Sequence, residues 1–230
     1  MDSRVLSSSN ISQTHDFGHI SPPLTADTVS NHRRFRWRGI VAALVLLPSL
    51  IVMLFSTPFV SEGSWLAGII EVMAWVTFVT GTLFRFWATL YIGGRKETIL
   101  VTDGPYSICR NPLYFGSFLL ALATALFLQS LLCVMAVLIV TLIYMLTTVP
   151  VEEEFLRVRH GADYEAYFHN VPRYWPSVQR FETPANLTIN IHRLRLECAR
   201  ASRWVWLPLL GVLLPYLRAQ PWWPILFQVF

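Results

Sequence analysis

The chain has 230 residues, 54% of them hydrophobic and 14% charged, with a mean hydropathy of +0.47. Soluble domains carry about 25% charged residues, so a single soluble domain is excluded. Seventeen arginines and one lysine against 14 acids give a formal net charge of +4, and their positions beside apolar runs report membrane orientation rather than nucleic-acid binding.

Residues 1–38 read as a disordered tail rich in Ser, Thr, Asn and His that ends in the basic cluster Arg33, Arg34, Arg36 and Arg38, with no apolar core of a signal peptide. Gly39 to Val60 follows without an ionisable side chain, the first predicted span. The arginines before it place the N-terminus on the cytoplasmic side. After a loop with Glu62 and no basic residue, Trp65 to Ile92 forms a second span returning to Arg95 and Lys96. Asn111 to Val151 is uncharged over 41 residues. As one helix it would extend about 62 Å, twice a hydrocarbon core of about 30 Å. The polar pair Gln129-Ser130 marks where it folds back, with spans over 113–128 and 131–149. A polar segment, Glu152 to Arg203, carries eight arginines, and its first part, to Asn170, has the apolar spacing of a cytoplasmic helix ended by Val171-Pro172. The tail from Trp204 is apolar but interrupted by four prolines, so a fifth span, a re-entrant piece and an interfacial anchor all remain open.

The expected fold is therefore all-α: a polytopic membrane helical bundle of four to five spans with a central helical hairpin and a cytoplasmic amphipathic helix. Residues 39–176 form its main domain and 177–230 a C-terminal extension. Cys109, Cys133 and Cys198 are far apart and lack metal-ligand spacing, so each is expected to be a small apolar filler, with no disulfide and no metal site.

The hairpin should bring Arg110-Asn111 to Glu152-Glu153-Glu154 at one membrane face. Those residues sit in two motifs. Gly104-Pro105-Tyr106, then Arg110-Asn111-Pro112, Tyr114 and Gly116 form the first; Glu152-Glu153, Leu156, Gly161, Tyr164, Tyr167 and Val171-Pro172-Arg173 form the second. Together they resemble the signature of the isoprenylcysteine carboxyl methyltransferase and phospholipid methyltransferase superfamily of membrane enzymes. Upstream, Leu83 to Ala88 followed by Gly93 is similar to a weaker stretch of the same pattern. The resemblance covers roughly Gly81 to Pro176.

What the resemblance implies is a methyltransferase that takes S-adenosylmethionine from the cytoplasm and a lipophilic acceptor, a small molecule or a lipid-modified substrate, from the bilayer. The acceptor atom, a carboxylate oxygen or a lipid amine, and the oligomeric state stay open. Tyr106, Arg110, Asn111, Pro112, Tyr114, Gly116, Glu152 and Glu153 are the implied cofactor residues. Arg110 offers a fork to a carboxylate, Glu152 and Glu153 suit an ammonium or a ribose hydroxyl, and Tyr106 and Tyr114 offer rings or hydroxyls. Pro105 and Pro112 are expected to keep the approach extended, and Gly116 to admit ligand or a neighbouring helix. Asn111 stands where many members have His, so it hydrogen-bonds without titrating.

Arg85 is an intramembrane arginine, facing the bundle or snorkelling outward. Arg85 or Arg173 can orient a carboxylate acceptor, while Glu153 or a tyrosine is the candidate base for an amine; Arg85, Arg173 and Glu153 are the catalytic candidates. Tyr164, Tyr167 and Trp175 either line the acceptor entrance or pack a helix against headgroups. A steroid-reductase-like enzyme using NADPH and a non-catalytic membrane protein are the competing readings; Phe115-Gly116-Ser117-Phe118 after Tyr114 lacks the acid the former commonly has there. No glycine-rich dinucleotide turn follows a strand, which disfavours a soluble Rossmann enzyme.

Overall fold

A computed structural model of the protein describes residues 26–56, 60, 63–92, 99–187, 189–218 and 220–226. The basic loop at Arg95 and Lys96, Glu62, Gly93 and most of the N-terminal tail lie outside these. The chain divides into residues 1–37 and 38–230. In the first unit the backbone is helical from Ala26, the start of α1 (Ala26–Leu54). The second unit holds both motifs and every helix after α1.

Among the described residues the structure is all-helical. After α1 come α2 (Trp65–Ile92), the short α3 (Pro105–Ile108), α4 (Pro112–Phe127), α5 (Leu131–His160), α6 (Ala162–Asn170), a 3-10 turn at Val178–Arg180, α7 (Ile191–Trp204) and α8 (Trp206–Arg218). Of these helices α2 and α5 are long and apolar enough to cross a membrane, whereas Gly39–Leu54 and Pro112–Phe127 are shorter apolar stretches. Sixteen residues of helix rise about 24 Å, so α4, 16 residues long, falls short of a full core. The first span also stops early, at Leu54 rather than Val60, where Ser56 Oγ folds back onto Met53 O at 3.1 Å. The apolar tail yields a helix of 13 residues, about 20 Å long, too short for a fifth crossing.

The outer face of α2 exposes Leu66, Ile69, Val72, Met73, Val76, Val79 and Leu83, a stripe that suits hydrocarbon rather than water. Its inner face carries small residues seven apart, Ala67, Ala74, Gly81 and Ala88, all buried. This stripe lets α4 come close. A methyl group on Gly116 would lie 2.7 Å from Arg85 Cγ and 2.9 Å from Gly81 O, so the two backbones touch as in small-residue helix pairs. Gly116→Ala is expected to destabilise by about 1–3 kcal/mol through overpacking, measured as a drop in Tm in detergent. Gly68→Ala is the control, because nothing lies within 4 Å of its added methyl.

The helical hairpin turns where the polar pair predicts. Leu128 and Gln129 leave α4, Gln129 takes φ 47°, and the Ser130 side chain caps α5 by accepting from Cys133 N at 3.3 Å. Beyond the span the structure corrects the sequence reading. No new helix starts at Glu152: α5 continues through Pro150 to His160. One interior proline costs about 3 kcal/mol, and the strong helix formers from Glu152 to Arg159 carry the helix past it. The break comes at Gly161, with φ 53°, and α6 restarts from Ala162. Pro105 and Pro112 are likewise not extended; each is the first residue of its helix, α3 and α4. Their missing N–H groups belong to a position that needs no intrahelical partner.

The C-terminal helices pack on the bundle. Gly211 of α8 lies so close to Phe127 of α4 that an added methyl would sit 2.5 Å from Phe127 Cβ. Leu214 joins Met53, Ala125, Cys133 and Val137 in a buried apolar cluster. Trp223 Nε1 donates to Leu54 O at 3.0 Å, and Arg218 to Met53 O.

Candidate functional site at the hairpin mouth

Three short pieces of chain build the site, and each is fixed by backbone bonds. Gly104 turns at φ 60°, pressed so near the Tyr91 ring that a methyl would sit 2.3 Å from it. Its N–H donates to Glu182 O at 2.6 Å. Arg110 N donates to Pro172 O and Ser177 N to Ile108 O, both at 2.9 Å. Residues 172–182 are thus stitched against residues 104–110, so the Val-Pro-Arg element braces the first motif from outside. Tyr167 Oη, from α6, adds a bond to Tyr106 O at 2.8 Å.

Glu153 is the hub of this mouth. It is 5% exposed and accepts from Asn111 Nδ2 at 3.2 Å and from Arg173 Nη2 at 2.6 Å. Arg110 Nε lies 3.7 Å away, and Arg110 also donates to Phe168 O at 3.1 Å while its guanidinium stacks over the Phe168 ring at 4.0 Å. Asn111 Nδ2 donates again to Arg173 O at 3.1 Å. The amide thus spends its donors on holding the two motifs together. One turn away, Tyr114 Oη donates to Glu152 Oε2 at 2.8 Å.

Around these groups lies a cleft of about 230 Å³. It is lined by Arg85, Tyr106, Arg110, Asn111, Pro112, Tyr114, Glu152, Glu153, Tyr164 and Tyr167 from the sequence-predicted set, with Ser117, Ile99, Leu100, Val101 and Leu156 added by the structure. Three predicted residues stand apart. Gly116 is consumed by the α2–α4 crossing, Arg173 reaches Glu153 from outside the lining, and Trp175 is exposed with its ring 6.4 Å from Phe115. The Tyr106 hydroxyl and Arg110 Nε are buried without a hydrogen-bond partner among the described residues, two donors that a bound polar molecule would satisfy. Burial raises the phenol pKa of Tyr106 and Tyr167 above the ordinary tyrosine value, and pushes that of Tyr164 up to about 12. All three therefore act as neutral hydrogen-bonding groups. Cys109 is buried beside Arg173 O and Tyr174 O, its thiol pushed up to about 11 by burial, whereas Cys198 is exposed and does not fill a core as expected.

Arg85 is held from an unforeseen direction. Its Nε donates to Glu197 Oε1 of α7 at 2.8 Å, it also donates to Ser117 Oγ, and it stacks over Trp204 at 4.9 Å. Glu197 is 1% exposed and takes a second bond from Arg200 Nη1 at 3.0 Å. Its sequence signal was present, because it is the sole acid after Glu182, set among Arg193, Arg195, Arg200 and Arg203.

The chemistry-bearing residues of both motifs therefore meet in one cleft at the open end of a helical hairpin. Residues 64–163 match the phospholipid methyltransferase family. The phospholipid methyltransferase match spans α2, the first motif, the hairpin and Glu152-Glu153; the bracing residues 172–182 and Glu197 lie beyond it. The chain is also 26% identical over 173 residues to the nickel-cobalt-cadmium resistance protein NccN of Alcaligenes xylosoxydans xylosoxydans, covering 75% of this chain and 78% of that one. It is 28% identical over 194 residues to the cobalt-zinc-cadmium resistance protein CzcN of Cupriavidus metallidurans, covering 84% and 86%. No solved structure matches the chain at a significant level.

Proposed function

We propose that the protein is an integral membrane methyltransferase that transfers a methyl group from S-adenosylmethionine to a lipophilic acceptor. The observation that carries this reading is the convergence of Tyr106, Arg110, Asn111, Tyr114, Glu152 and Glu153 on one cleft within a segment matching the phospholipid methyltransferase family. The cleft offers what the cofactor needs: the Glu152 carboxylate on α5 for an ammonium or ribose hydroxyl, arginines for a carboxylate, and the Tyr106 hydroxyl and Arg110 Nε, neither of them hydrogen-bonded among the described residues, as further donors. When bound, the cofactor supplies an electrophilic methyl group. The protein's part is alignment and exclusion of water, provided by the apolar wall of Ile92, Ile99, Leu100 and Leu113.

Among the catalytic candidates, Arg85 lines the cleft and is placed to orient an anionic acceptor. Glu153 is occupied by Asn111 and Arg173 and serves as scaffold rather than base. Arg173 acts through Glu153. On this reading the N-terminus and the cleft are cytoplasmic, which the arginine cluster before Gly39 supports. Four apolar stretches, those of α1, α2, α4 and α5, enter the bilayer, with α1 and α4 incomplete crossings. The working unit extends past residue 176, because α7 reaches Arg85. The relatives' names concern resistance to nickel, cobalt, zinc and cadmium; for this chain we read such a role as modification of a membrane component by methylation rather than as ion transport.

Calorimetric titration of the purified protein with S-adenosylmethionine, and separately with NADPH, tests the class. Binding of the former alone is expected. Glu152→Gln should weaken it by about tenfold, the worth of one charged hydrogen bond, while leaving Tm unchanged. Binding of NADPH alone would transfer the site to a reductase, and binding of neither would leave a non-catalytic membrane protein.

A further inference from the structure

The charges of α7 are unevenly placed around its axis. Within Ile191–Trp204 the sole acid, Glu197, is the buried residue, whereas Arg193, Arg195, Arg200 and Arg203 are exposed. Glu197 is also shared, because it accepts from Arg85 at 2.8 Å and from Arg200 at 3.0 Å. The helix therefore turns its one negative charge inward and a surplus of positive charge outward. Such a face is ordinary on a helix in water, so its surroundings decide its meaning. Helix α7 packs on α2, whose outer face is apolar, and Glu197 meets Arg85 about 10 Å short of the end of α2 at Ile92. At its other end α7 passes through Val205 into α8, whose Leu209, Leu210 and Leu213 are exposed. Trp204, over Arg85, and the exposed Trp206 flank that junction, and tryptophans concentrate where hydrocarbon meets headgroups. The arginines thus stand at the edge of the apolar surface.

We propose that the outer face of α7 binds the headgroups of anionic phospholipids in the bilayer beside it. Guanidinium forks match phosphate oxygens in pairs, and arginine stems lie along apolar surface while the charge stays at headgroup level. Basic residues on an amphipathic helix next to a span are drawn to an anionic leaflet. The neighbouring α8 supplies the apolar half, so the headgroup and the chains of one lipid meet matching surfaces on consecutive helices. An acidic soluble protein would match the arginines but not the exposed leucines of α8. The proposal goes beyond the methyltransferase reading: it needs α2 in a membrane and holds whatever the cleft binds.

Cys198, exposed on α7 while Cys109 and Cys133 are buried, supplies a reporter position. The full chain, labelled there with the fluorophore bimane, is reconstituted in phosphatidylcholine vesicles. These contain increasing amounts of phosphatidylglycerol with a quenching nitroxide near the headgroup end of one chain, or of phosphatidylcholine carrying the same nitroxide. Half-quenching is expected at about fivefold lower content of the anionic lipid, the attraction of one basic residue to an anionic surface. Salt at about 1 M, where the screening length is about 3 Å, should abolish the difference. So should Arg193→Gln, Arg195→Gln and Arg203→Gln combined in one variant, which keeps the Arg200–Glu197 pair and, being confined to exposed positions, should leave Tm nearly unchanged. Equal quenching of the wild type by the two lipids would overturn the proposal, and that comparison needs no variant to fold. Quenching by neither lipid would place α7 away from the bilayer, and a preference that survives in the variant would place the lipid on other groups; either result also defeats it. S-adenosylmethionine affinity in the same vesicles reports on the cleft alone, so each reading fails separately.

Discussion

Replacing Glu153 with alanine is expected to cost the protein about 3–5 kcal/mol, the penalty for breaking a buried ion pair and leaving the partners uncompensated. The carboxylate is 5% exposed and serves Asn111 and Arg173, with the buried Arg110 3.7 Å away. Native stabilities are about 5–15 kcal/mol, so the loss approaches the whole margin, and a fall in Tm with loss of monodisperse protein is the expected measurement. Glu153→Gln keeps an oxygen for Asn111 and surrenders only the charge, so its cost should be smaller, about 1.5–3 kcal/mol. Equal Tm values for the wild type and both variants would show that the hub holds nothing together. One corollary concerns experiments on the cleft: changing Glu152 and Glu153 together confounds binding with folding, which is why Glu152 alone is the informative variant.

Glu197→Ala is expected to have the second large effect. It leaves Arg85, whose side chain is 17% exposed, without its counter-charge between α2 and α7, again at about 3–5 kcal/mol. The diagnostic is the double variant Arg85→Met with Glu197→Leu. Apolar groups of similar volume often replace a buried ion pair without loss or with gain, so most of the lost stability should return in the double variant, while binding in the cleft should not. A double-mutant cycle in Tm and in S-adenosylmethionine affinity separates these two contributions. If the double variant is less stable than Glu197→Ala alone, the pair is not the reason α7 packs where it does.

Much of this was legible in the sequence because the informative residues are chemically conspicuous. The uncharged run interrupted by Gln129-Ser130 dictated the hairpin, and the hairpin carried Asn111 to Glu153 across 42 residues. The two motifs then identified the cleft. Packing signals were weaker. The small residues Ala67, Ala74, Gly81 and Ala88 recur every seventh position, yet within an apolar helix they look like filler until α4 is laid against them. Pro150 is the more conspicuous helix breaker in the sequence and Gly161 the effective one, because a lone proline can be carried by strong neighbours whereas a positive φ stops the helix. Glu197 lay beyond any local pattern, because its partner is 112 residues away.

That separation sets an order of events during biogenesis. Arg85 leaves the ribosome 112 residues before Glu197, an interval of roughly 6–22 s at synthesis rates of about 5–20 residues per second. Throughout that interval Arg85, an intramembrane charge of the kind that is costly to insert, lacks the carboxylate it pairs with in the finished bundle. On the membrane reading, the Arg85–Glu197 pair therefore closes only after α7 has been made, late in the assembly of the bundle.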